Sequence, residues 1–274
     1  MRQGGRSLRM RCVLLGGAVL ALVLAANAEE RPHVPGVDWE RMVIRASGSG
    51  APDLNAPNIA VARLGAERAA RLDAMRNILE TLQGVRVTTD STAGGVMDSD
   101  SAVKARVEGI LRNFEVVDTR YYADGGVEVD VEMSLVGQLA QSLLPPGPTE
   151  TPSTEGEVSH SGVIVDATGM EMSPALAPRI LDERGNEIYG SRMVSPEAVV
   201  SRGVVAYRPS MEAARKDTDI VGDTPLVLRA LEGKGSDVVI TNADAANLGG
   251  ESRNLSFLAE GRVVFVIDGL GGTE

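Results

Sequence analysis

From Val127 to Leu135 the chain alternates strictly. Val127, Val129, Val131, Met133 and Leu135 are apolar, and Glu128, Asp130, Glu132 and Ser134 between them are polar. Successive side chains on a strand point to opposite faces, so this pattern demands a strand with one buried and one wetted face. Asp124-Gly125-Gly126 supplies the backbone freedom of a tight turn, and Phe114 to Tyr122 reads as the other arm of an antiparallel hairpin. A one-faced sheet needs an apolar layer against it. From Asn58 to Leu82, Leu64, Leu72, Met75, Leu79 and Leu82 recur mostly at helical steps, while Arg63, Glu67, Arg68, Arg71, Asp73 and Arg76 take much of the remaining surface. At ~1.5 Å per residue this helix is a rod of roughly 37 Å, and Gly84 is its expected stop. Met42 to Gly48 reads as a strand entering a Gly/Pro/Asn-rich turn over Gly48 to Pro57. A shorter helix is expected from Ser99 or Ser101, with Val103, Val107 and Ile110 on one face. The expected first domain is α+β, a long and a shorter helix packed on an antiparallel sheet.

Residues 145–157 carry four Pro and no large apolar side chain. They read as a Pro-rich linker that cannot form a core. They separate a domain over 39–144 from a second over 158–270, followed by a tail at 271–274. The second domain shows strand-like runs at Val163-Ile164-Val165, Val204 to Tyr207, Val238-Val239-Ile240 and Val263 to Ile267. Glu183-Arg184-Gly185-Asn186 reads as a turn joining Arg179-Ile180-Leu181 to Glu187-Ile188-Tyr189. Short helices are expected to begin at Ser195, Ser210 and Asn242. This domain too is mixed α+β, with more loop.

The first 28 residues read as a secretory signal. Arg2, Arg6, Arg9 and Arg11 precede an apolar run from Val13 to Ala25, and Ala26-Asn27-Ala28 offers the small-x-small site after which cleavage is expected. The run is too short for a bilayer core that needs ~20 helical residues. Residues 29–38 are expected to be a flexible start of the mature chain. Removal of 1–28 takes four of 27 basic residues and none of 38 acidic ones, so the net charge moves from -11 to -15. Such a surface repels bare nucleic acid phosphate. The single cysteine, Cys12, leaves with the signal. The mature chain then has no thiol, which excludes disulfides, thiol catalysis and iron–sulfur ligation.

Each candidate for chemistry meets a simpler reading. Asp98-Ser99-Asp100 begins like a calcium loop but fails at Ala102 and Val103, so helix capping by Ser99 or Asp100 is preferred. Gly48-Ser49-Gly50 lacks the third glycine and the Gly-Lys-Ser/Thr of phosphate loops, and reads as a bent surface connection. Ser159, His160, Ser161 and Asp166 contain the members of a hydrolase triad, but neighbours on a strand point apart and no G-x-S-x-G elbow exists. His33, between Pro32 and Pro35, has no second ligand motif nearby. Asp166, Asp182, Glu183 and Asp268 offer acids for glycoside hydrolysis, yet carboxylates are abundant everywhere. Asn254-Leu255-Ser256 fits a glycosylation triplet, which also arises by chance. The row Glu128, Asp130 and Glu132 reads as a solvated sheet face. No catalytic residue, metal site or cofactor is therefore expected.

The order from Trp39 to Leu144 resembles the envelope domain of the LPP-twenty lipoprotein family, a module that also forms the N-terminal part of flagellar assembly protein T. The residues carrying it are Ala46-Ser47-Gly48-Ser49-Gly50, the Ala-rich helix from Ala62 to Ala70, and Val107-Glu108-Gly109 before the Val-rich hairpin. The resemblance implies a periplasmic or outer-membrane-peripheral protein that works through contacts with other envelope proteins, extending to flagellar basal-body components. No cysteine stands at the cleavage site, so no covalent lipid anchor is expected. Two other functions compete with this adaptor role. A periplasmic hydrolase or carbohydrate-processing enzyme requires a cleft with His160 or two converging carboxylates, and a small-ligand sensor requires an enclosed apolar pocket.

Overall fold

A computed structural model describes residues 34–144, 152–156, 159–249 and 254–270. The expected signal peptide, His33, most of the linker and the tail lie outside the described residues. The architecture is α+β.

The chain opens with β1 (Gly36–Asp38) and β2 (Val43–Gly50), then the long helix α1 (Ile59–Gly84). A small ladder of β3 (Arg86–Thr88) and β4 (Ser91–Thr92) leads to α2 (Ala93–Ser99) and α3 (Ser101–Leu111). The hairpin β5 (Glu115–Tyr121) and β6 (Val127–Ser134) follows, then α4 (Gln138–Leu143). The sheet has the order β1-β2-β6-β5, antiparallel throughout. Gly125 turns the hairpin at φ 89°, as the Asp-Gly-Gly sequence requires, and β5 bulges between Val116 and Asp118. Val127, Val129, Val131 and Met133 are buried, and α1 packs across β2 and β6. Asn58 caps α1 by accepting a hydrogen bond from the Val61 N–H, and Asp100 caps α3. Gly36 to Asp38, expected to belong to a flexible start, pairs in register with Val43 to Arg45.

Two expectations about this layer need correction. The buried face of α1 is Ala66, Ala70, Ala74, Ile78 and Leu82; of the expected stripe only Leu82 belongs to it, and Leu64 and Leu72 are exposed. Gly48-Ser49-Gly50 is not a surface bend but the end of β2, with Gly48 and Gly50 buried. The two corrections share one cause. A Cβ at Gly48 would stand 2.2 Å from the Ala74 backbone nitrogen, and one at Gly50 2.0 Å from the Ala66 carbonyl oxygen. Helix and strand backbones touch where glycines meet alanines, so the helix buries its smallest side chains. Asn77 Nδ2 donates to the Ser47 carbonyl at 2.8 Å and the Ser49 N–H to Asp73 Oδ2 at 3.1 Å, fixing the approach.

The second half runs β7 (Val163–Asp166), β8 (Ile180–Leu181), β9 (Glu187–Tyr189), α5 (Pro196–Ser201), β10 (Ala206–Arg208), α6 (Met211–Lys216) and α7 (Thr218–Val221). It continues with β11 (Leu226–Arg229), β12 (Glu232–Lys234), β13 (Asp237–Val239), α8 (Asn242–Gly249), α9 (Ser256–Ala259) and β14 (Val263–Val266). The expected helix starts at Ser195, Ser210 and Asn242 hold, with Ser195 and Ser210 as side-chain caps. The strand expected at Val204 to Tyr207 begins two residues later, at Ala206, and ends at Arg208. β7, β10, β11 and β14 form an all-parallel sheet of order β10-β14-β7-β11. A second sheet, β12-β13-β8-β9, pairs β13 and β8 in parallel. Ile164, Ala206, Val264 and Val266 form one cluster with Ala214 of α6 and Val221 of α7. The opposite side, with Val163, Val165, Tyr207 and Phe265, belongs to the main core. A sheet covered on both faces reads as unbroken Val/Ile runs, which is the sequence pattern here.

That main core also contains Ile44, Ile78 and Val129, so the two halves share it. The Leu176 and Ala177 N–H groups donate to the Arg86 and Val87 carbonyls at 3.0 and 2.8 Å. Trp39 meets Tyr207 edge-on at 5.8 Å between ring centres, and Tyr207 meets Phe265 at 6.2 Å. Pro152, from the expected linker, is buried, and the Leu255 N–H donates to the Ser153 carbonyl at 2.7 Å.

Candidate interaction surface

The acids and hydroxyls singled out in the sequence cap helices, hold their own turns or tie one loop to another. Asp100 Oδ1 accepts from the Ala102 and Val103 N–H groups at 2.8 and 3.3 Å, which is helix capping. Ser161 Oγ donates to the Val221 carbonyl at 2.7 Å and accepts from the Thr224 N–H at 2.9 Å. Asp166, at the end of β7, accepts from the Thr168 N–H and hydroxyl and from Arg229 Nη1. Burial works to raise its pKa, but these hydrogen bonds outweigh it and hold the carboxyl below its ordinary range. Asp182 is lowered chiefly by the Asn186 side chain, then by the Asn186 and Arg184 N–H groups, all within its own turn. Glu183 bonds Asn242, and Asp268 accepts from the Gly169 N–H at 2.6 Å. His160 shows no hydrogen bond to Ser161 or Asp166 among the described residues. Asn254 has its amide nitrogen on the Thr154 carbonyl and its oxygen on the Ser256 N–H.

The row Glu128, Asp130 and Glu132 departs from the solvated face that its pattern suggests. Asp130 is only 3% exposed. It accepts two hydrogen bonds from Arg120 and one from the Ser47 hydroxyl at 2.7 Å. Arg120 also reaches Glu128, whose pKa is lowered first by the Tyr122 hydroxyl and then by Arg120. Glu132 sits between Arg41 and Arg45 at 2.9 and 2.8 Å. Burial alone would raise its pKa, but the two guanidiniums bring it below the ordinary value. The arginines lie on neighbouring strands and loops, so the alternation of one strand gives no sign of them.

Two grooves open from the surface. One of about 470 Å³ runs between Ile110, Met133, Val136 and Leu139 with Arg41 and Glu132 at its rim. The other, of about 320 Å³, lies between Asp182, Arg184, Ile188 and Ala245. Glu132 in the first and Asp182 in the second are already held by the partners above. Among the described residues there is no cluster of three or more metal-ligating side chains. None of their helices is long and apolar enough to cross a membrane.

The outer side of α1 is different. Val61, Leu64 and Leu72 are 45, 54 and 60% exposed, and Ile59 at the first turn is 76% exposed. At about 100° per residue, Val61, Leu64, Gly65, Arg68 and Leu72 fall within an arc of about 100° turned away from Ala66, Ala70 and Ala74. The leucine periodicity legible in the sequence is therefore real, but its N-terminal half lies bare. Only Met75 and Leu79, farther along, pack partly against the core. Arg68 is the one charge within this arc and Arg71 and Arg76 border it, with Glu67 and Asp73 farther round the helix. Arg71 and Arg76 pair with Glu67 and Asp73 at 3.1 Å, whereas Arg68 has no ion-pair partner among the described residues. Exposed apolar residues in a row, rather than scattered singly, mark contact surfaces.

No curated protein matches the chain. The comparison with family models identifies residues 162–269, from β7 through β14, as similar to the second domain of Treponema pallidum Tp0624, leaving α1 and its sheet outside the match.

Proposed function

We propose that this protein is a non-enzymatic, exported component of the bacterial cell envelope that acts as a structural or adaptor element through protein–protein contacts. The bare apolar row Val61, Leu64 and Leu72 on α1 is the observation that carries the reading. A monomer gains nothing from leaving these side chains in water, whereas a partner that covers them gains about 25 cal/mol per Å² of apolar area buried. The resemblance of residues 39–144 to the LPP-twenty envelope domain and to flagellar assembly protein T supports a periplasmic site of action, with flagellar basal-body components as one candidate set of partners. The carboxylates held by arginines and backbone amides favour scaffolding over hydrolysis, because a catalytic acid needs its pKa raised rather than lowered. Recovery of crosslinked partners from intact cells tests the proposal. Envelope proteins in stoichiometric yield are expected. Turnover of an envelope polymer by the purified protein, abolished by His160→Ala, would overturn it, as would a chain found in the cytosol with its amino terminus intact.

A further inference from the structure

We infer that the outer face of α1 receives an acidic amphipathic helix from a partner protein, a conclusion that rests on the contact-mediated role proposed above and specifies its chemistry. Three features point to this occupant. The apolar row Val61, Leu64 and Leu72 follows helical spacing along one side of a rod, which suits a second helix lying alongside rather than a strand. Gly65 projects nothing toward the approaching backbone; no atom lies within 4 Å of where its Cβ would be. The one charge within the outer arc is Arg68, which has no ion-pair partner among the described residues, while Arg71 and Arg76 at its borders are each paired with an acid, on a chain whose formal charge is -11. This sign selects a complementary, carboxylate-bearing partner. It disfavours a second copy of this chain, whose Arg68 would be brought against its own counterpart wherever Leu64 and Leu72 of two antiparallel copies met, and equally the Arg-rich segment before Val13.

The test uses residues 29–274 and two designed helical peptides of about 18 residues, the length from Ile59 to Arg76 or ~27 Å. Both carry the same leucine row, one flanked by Glu and the other by Lys. Fluorescence anisotropy is expected to show the acidic peptide binding at least about tenfold more tightly, with the difference shrinking in high salt. Leu64→Asp/Leu72→Asp should abolish binding, and Arg68→Glu/Arg71→Glu should remove the preference. All four positions are exposed, and unchanged circular dichroism melts confirm the fold. Equal affinity for the two peptides, no binding of either, or binding indifferent to Leu64→Asp/Leu72→Asp overturns the inference. Phosphatidylglycerol vesicles serve as a parallel arm, and leucine-dependent vesicle binding without peptide binding overturns it in favour of a membrane surface. A photo-crosslinker at Leu64 in cells separates this inference from the adaptor role. Partners captured only from other faces defeat the α1 site and leave that role intact, whereas no partner from any face defeats both.

Discussion

Gly48→Ala tests whether backbone contact between α1 and β2 organises the first half. The added Cβ would stand 2.2 Å from the Ala74 nitrogen and 2.3 Å from the Ala70 carbonyl oxygen, against ordinary contact from 3.4 Å, so it lacks 1.2 Å (3.4 less 2.2). Both obstacles are main-chain atoms in the middle of a 26-residue helix. Neither can swing aside as a side-chain tip can. α1 must lift, and a gap of roughly 0.5–1 Å forfeits a quarter to a half of the dispersion attraction between facing atoms. That loss falls on Ala66, Ala70, Ala74 and Ile78 together, and the 2.8 Å Asn77–Ser47 hydrogen bond stretches with it. Overpacking costs about 1–3 kcal/mol in general, and a backbone-to-backbone clash belongs at the top, about 3 kcal/mol. Urea unfolding followed by circular dichroism should show a lower midpoint with an unchanged slope. Gly65→Ala, on the open side of the same helix, should instead stabilise by about 0.5–1 kcal/mol through helix propensity alone. A Gly48→Ala cost below about 1 kcal/mol, or the same sign for both substitutions, would refute the close-approach argument.

Arg120→Met strips the almost fully buried Asp130 carboxylate of its guanidinium and should cost about 2 kcal/mol in urea unfolding, less than for a wholly buried pair because Arg120 itself is partly exposed. Glu132 has a folded pKa below its ordinary value, so its contribution is complete above the usual carboxylate range and is lost as pH falls through that range toward the folded value. Thermal melts from about pH 7 to pH 3 should therefore show a shallower acid decline for Glu132→Gln than for the native chain. Tyr207→Phe removes a hydroxyl that accepts from the Ala175 N–H at 2.9 Å and donates to the Ala175 carbonyl at 2.8 Å. With both groups left buried and unpaired, a loss of about 2–3 kcal/mol is expected in the same unfolding assay.

The hairpin, its turn and the capped helix starts were legible because each depends on neighbours a few residues apart. Val127 to Leu135 states its own burial, and Asp100 and Ser195 state their own caps. The seat of α1 was not legible. Leucines signal burial more strongly than alanines, and nothing near Ala70 announces that Gly48 faces it from 22 residues away. The parallel arrangement of β7, β10, β11 and β14 is hidden for the same reason, since their short Val/Ile runs are compatible with many pairings. As for the candidate surface, its residues were visible as a periodic stripe, while their exposure became apparent only once the smaller side chains were seen to occupy the core-facing side. The arginine partners of Asp130 and Glu132 come from β2, β5 and the loop before β2, beyond the reach of any local pattern.

β7 and β14 are the inner strands of the parallel sheet, and 96 residues separate Asp166 from Val263. The central pairing of the second half must therefore wait until almost the last of the described chain has left the ribosome. Until then β7 has no neighbour at the place β14 will fill, and the core shared with the first half lacks Phe265 and Val263. The second half therefore stays open at its centre for as long as it is being made, whereas the first half has all four strands of its sheet by Ser134.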